Sequence, residues 1–174
     1  MEQKIAITKD TPIETVKKYG EECSRCNSCC KYDTGIVLEE DIPRIAKHLK
    51  LSEKQFKEKY LVEHEKFNTK CFKLKQEKNG KPYGKCIFLD EQKGCKIHTV
   101  KPLHCNVCSA KSTHGEALSH WFTLNYLVNT DDPESVRQWA SFLKDHPTIM
   151  GGRLHELIKN KEKLKKILSF EILK

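Results

Sequence analysis

No stretch of this chain's 174 residues strings together more than a few apolar side chains, far short of the roughly 20 that a spanning helix needs. That excludes membrane insertion. Met1 to Gly20 alternates charge with single apolars and offers no continuous apolar core for a secretory signal, so a cytoplasmic protein is expected. No GxGxxG, GxxxxGK[ST], HExxH or GxSxG motif is present, which removes the readily legible nucleotide, zinc-protease and serine-hydrolase classes. Arginine is scarce: four of the 32 basic residues, the rest being lysine. A net charge of +8 carried by lysines interleaved with Asp and Glu reads as a solvated surface rather than a phosphate-clamping face, so nucleic acid is not expected as a partner. With Gly 8 and Pro 6, and no repeat or low-complexity linker, the chain suits one compact domain.

What is abundant is cysteine, at nine residues. In a reducing compartment, an odd number of thiols at short spacings points to metal ligands or redox groups rather than a disulfide framework. Cys23, Cys26, Cys29 and Cys30 form a CxxCxxCC run. The CxxC turn lets two thiolates converge, and three converging thiolates grip many [4Fe-4S] clusters while a fourth ligand arrives from elsewhere; zinc uses the same spacing. Adjacent Cys29 and Cys30 bend awkwardly toward a single ion, which favours a multinuclear cluster or two neighbouring sites. Cys86, Cys95, Cys105 and Cys108 can complete either arrangement, leaving Cys71 as a spare, buried thiol. His98 and His104 sit within the same cysteine-rich loop, as ligands or as packing groups. The other six histidines have no partner motif, and no general acid or base can be named.

Around these residues the pattern is mainly helical with a small β-hairpin and cysteine-rich, metal-bound loops. Thr11-Pro12-Ile13-Glu14 opens a helix that Gly20 stops. Glu39 to Leu49 places Ile42, Ile45, Ala46 and Leu49 on one face, with Glu39-Glu40-Asp41 as favourable charge at its start. Ser52 and Gln55 cap a second helix carrying Phe56, Tyr60 and Leu61. Asn79-Gly80 signals a hairpin between Cys71–Leu74 and Cys86–Leu89, and 90–112 reads as a loop organised by ligands. Beyond Gly115 come a helix with Trp121, Leu124 and Leu127, a helix opened by Asp132-Pro133, and a lysine-rich amphipathic segment from Arg153 to Leu173 able to meet a protein partner. A soft boundary at Thr113–Gly115 separates a cysteine-cluster region, 1–112, from a helical region, 113–174, packed on it.

These motifs resemble the YkgJ-like CxxCxxCC cysteine-cluster family, described as zinc- or iron-chelating domains. The resemblance spans Cys23 to Cys108: the CxxCxxCC run, then Cys86-Ile87-Phe88-Leu89, Cys95-Lys96-Ile97-His98 and Lys101-Pro102-Leu103-His104-Cys105. Lys101 stands where the family pattern has arginine, His98 and Cys108 where it has aromatics, and Asn106 where it has arginine. The resemblance implies a cysteine-ligated metal domain. Two functions are then expected: an iron-sulfur protein acting in electron transfer or as accessory to another enzyme, or a structural zinc module that binds a partner. A third, implied by a likeness to flagellin lysine-N-methylases, is a methyltransferase-related protein, although no S-adenosylmethionine fingerprint is readable.

Overall fold

In the computed structural model, which describes residues 6–20, 27–107 and 113–173, helices alternate with short antiparallel ladders. The first half runs α1 (Ile13–Gly20), α2 (Ser28–Tyr32), β1 (Ile36–Val37), a 3-10 turn at Glu39–Asp41, α3 (Ile42–His48), α4 (Glu53–Tyr60), β2 (Leu61–Lys66) and β3 (Thr69–Leu74). Four two-residue strands follow: β4 (Gln76–Glu77), β5 (Lys85–Cys86), β6 (Leu89–Asp90) and β7 (Gly94–Cys95). The second half is helical: a 3-10 turn at His98–Val100, α5 (Leu103–Val107), α6 (Gly115–Tyr126), α7 (Pro133–Phe142), α8 (Leu154–Leu157) and α9 (Lys161–Leu168). The fold class is mainly α with minor β.

The central sheet has the order β1-β3-β2, with Val37 opposite Phe72 and His64 opposite Cys71. Because side chains alternate across a strand, its two faces serve two cores. Ile36 and Cys71 join the first, built with Val16, Val107, Leu118, Phe122 and Trp139. Val37, Phe72, Leu61 and Leu74 join the second, with Ile42, Ile45, Phe56, Cys86 and Ile97. A third, small cluster closes α7 on α9 through Val136, Ile158 and Ile167. Among the described residues no helix is long and apolar enough to cross a membrane.

Local chemistry explains most boundaries. Ser52 accepts from the Gln55 N–H at 3.2 Å while Gln55 accepts from the Ser52 N–H at 2.9 Å, a reciprocal cap for α4. Asp132 accepts from Glu134 N–H at 3.0 Å ahead of Pro133, opening α7. Thr11 departs from expectation: its hydroxyl accepts from Thr8 N–H at 2.8 Å, turning back into the preceding loop, while its carbonyl takes the Trp121 indole N–H at 2.8 Å. The expected Arg153–Leu173 helix is interrupted, because Ile158 adopts extended backbone to bury its side chain and Asn160 then restarts the helix by capping Lys163 N–H at 2.9 Å.

Candidate metal centre

Successive helical residues project about 100° apart, and α2 puts that angle between Cys29 and Cys30. Cys29 is exposed; Cys30 turns inward and packs against the second core. The same core receives Cys86 and Cys95, each delivered by a minimal ladder: Gln76 pairs with Cys86, and Leu89 pairs with Cys95.

The electrostatics follow from that burial. The Cys86 thiol is pushed up to about 12, first by burial, then by Cys30, Cys95 and Glu77, with only the Phe88 N–H pulling the other way. Burial also raises Cys95, partly offset by the Ile97 N–H and Lys101. A buried thiolate is unfavourable without a cation, whereas a bound metal ion inverts that balance and deprotonates its thiols. Thiols gathered at one apolar core are donors of the kind that a thiophilic metal takes. Among the described residues no group of three or more His, Cys, Asp and Glu side chains is arranged to hold an ion alone. Cys23, Cys26 and Cys108, the remaining candidate ligands, lie outside the described residues.

Cys105 takes a different position. It rides on α5, which packs against α1, α6 and β1, and its Sγ rests on Gly35, where any Cβ would overlap the sulfur. His104 is turned edge-on to the Phe122 ring at 4.7 Å, and burial, with Lys66 and Lys73, holds it down to about 4 against the pull of Asp33. His98 lies in the 3-10 turn three residues beyond Cys95. Cys71 is half-buried opposite His64, its thiol raised by burial against the pull of Lys66 and Lys73. A cleft of about 490 Å³ opens elsewhere, at the edge of β3 beyond the end of β1, lined by Glu39, Glu63, Lys70, Phe72 and Tyr126 among others.

One structural element of the site is not readable as such from sequence. Asp41, grouped there with Glu39 and Glu40 as helix-terminal charge, makes no side-chain cap on α3. Its carboxylate is 4% exposed and accepts from Arg44 at 2.6 Å, Leu38 N–H at 3.2 Å and Leu103 N–H at 3.1 Å. Arg44 also donates to the Lys101 carbonyl at 3.3 Å. Together they clamp the segment that opens the Cys105 helix. The Asp-x-x-Arg spacing is the trace of it in sequence, too common a pattern to single out.

Fold and donor set thus define a small, cysteine-based metal-binding domain. A family model named CxxCxxCC, "Putative zinc- or iron-chelating domain", matches residues 22–123, more than half the chain, and the chain belongs to that family. Comparison with curated proteins and with solved structures yields no match.

Proposed function

We propose that the chain carries an iron-sulfur cluster on Cys23, Cys26 and Cys29, completed by a downstream cysteine, with a second thiolate site drawing on Cys30, Cys86, Cys95 and the Cys105/Cys108 pair, and that it serves in electron transfer or as an accessory to another enzyme. The observation that carries this reading is the divergence of neighbours: Cys30 packs against the same apolar core as Cys86 and Cys95 while Cys29 faces outward. One tetrahedral ion cannot readily use both. When bound, such a cluster supplies one-electron redox chemistry. The chain's own residues hold it in place and keep water from the inner sulfurs.

The test is iron, zinc and acid-labile sulfide per chain on anaerobically purified protein, with visible spectra before and after dithionite. Stoichiometric iron and sulfide with bleaching is expected; neither iron nor sulfide would overturn the reading. A structural zinc site is the second reading, favoured by the two-residue ladders β4–β5 and β6–β7. Pairs that short cannot sustain themselves, and zinc commonly supplies the missing folding energy. Zinc alone in colourless protein would select it.

A further inference from the structure

Two tyrosines stand in solvent beside the cysteines of α2 and β5. Tyr32, one helical turn after Cys29 on the same face of α2, is 63% exposed, and Tyr83, three residues before Cys86, is 45% exposed. Their rings meet at 5.8 Å between centroids, tilted by 59°. Tyr83 is preorganised: the turn before it is closed by Lys81 N–H to Lys78 O at 2.9 Å, and the Gln76 side chain donates to Gly84 O at 3.2 Å. Asn79 and Gly80 both adopt left-handed backbone at the tip, the geometry that a tight hairpin turn requires. The pair is therefore an aromatic ridge that joins α2 to the turn before β5, beside Cys29 and Cys86.

Its rim is cationic. Lys31, Lys78 and Lys81 are exposed, and the Lys81 ammonium lies 5.8 Å from the Tyr83 centroid. The nearby carboxylates already have partners: Glu77 and Glu91 pair with Lys85 at 3.2 and 3.6 Å, and Asp33 with Lys73 at 2.6 Å. Exposed, rigid tyrosines are characteristic anchors of protein interfaces, since they bring large contact area at small entropic cost. Stacked nucleobases need open ring faces. Here Tyr83 is flanked by Tyr32 and Lys81, and the basic groups are lysines rather than planar guanidinium forks.

We propose that Tyr32, Tyr83 and the lysines around them form the docking surface for an acidic protein partner, placed so that the partner meets the metal centre at Cys29. The meaning of that placement rests on the metal-centre reading; the surface itself does not.

The experiment titrates the isotope-labelled chain, as purified anaerobically, with an oligoglutamate peptide and, separately, with oligothymidylate, following backbone amide shifts. Expected are shifts concentrated on 29–33 and 78–85, weakening as salt rises. The Tyr32→Ser/Tyr83→Ser variant is expected to lose about tenfold in affinity. Lys31→Glu/Lys81→Glu, which alters exposed positions only, is expected to lose at least as much. Shifts spread over the α9 lysines, tighter binding of oligothymidylate, or unchanged affinity in the charge-reversed variant would each overturn the proposal. Iron and zinc are assayed on the same samples. Binding without either metal overturns the metal-centre reading and leaves the surface standing.

Discussion

At the scale of single residues, Asp41 and His120 make opposite use of burial. Burial pushes the Asp41 carboxyl above its ordinary value, although the Leu38 and Leu103 N–H groups and Arg44 pull it down. Both oxygens accept from N–H groups, so the Asp41→Asn variant must turn an amide NH2 toward a donor. The expected cost is about 1–3 kcal/mol, the penalty of stranding a buried donor, read as a lower urea midpoint at unchanged m value. His120, 7% exposed, is held below the usual 6.5 by burial, with His146 and Lys66 pushing the same way and Glu116 opposing. The unfolded chain then binds the proton more readily than the folded one. His120 therefore contributes fully above about pH 6.5 and loses its contribution as pH falls from there toward its folded value. Urea titrations from pH 7 to 5 are expected to show a steeper loss of stability in the wild type than in His120→Gln; equal slopes would refute it.

Elements show where sequence patterning succeeds and where tertiary packing decides. Caps at Ser52 and Asp132 and the apolar stripes of α3 and α7 are local chemistry and were legible. The principal hairpin, β2–β3, was not, because its turn residues are Phe67 and Asn68 with φ of 52° and 56°. Left-handed turn positions favour Asn and Gly, so the eye goes to Asn79-Gly80, which closes only the small β4–β5 ladder. Phe67 accepts its backbone conformation because its ring is buried, edge-on to Trp139 at 5.3 Å and Phe142 at 5.8 Å. Phe67→Ala is accordingly expected to cost about 3–5 kcal/mol, as for other buried aromatics, measured by denaturant unfolding. Asn68→Gly, by contrast, is expected to be neutral or slightly stabilising. For the site, spacing named the cysteines, but not that Cys30, Cys86 and Cys95 meet at one core. That grouping depends on two ladder registers and a shared core, which no local pattern encodes.

At the scale of the whole molecule, the sheet separates two cores with different sources of stability. The first is large and aromatic, and draws on α1, α5, α6 and α7 around Trp139 and Phe122. It needs nothing but apolar burial. The second holds Cys86 and Leu89 on two-residue strands whose hydrogen bonds cannot hold them unaided, with Phe88 and Ile97 on the short links beside those strands. A metal that binds the folded thiolates and not the unfolded chain would stabilise that part by about 4 kcal/mol at a thousandfold excess over its dissociation constant. Chelation under reducing conditions should therefore act unevenly: amide exchange is expected to accelerate by orders of magnitude across 85–97, while α6 and α7 stay protected. Uniform acceleration would mean that the two cores unfold as one. No change at all would mean that packing of Phe56, Ile45 and Ile97 suffices without metal, and would remove the structural-zinc reading while leaving a purely redox centre to be judged by its iron and sulfide.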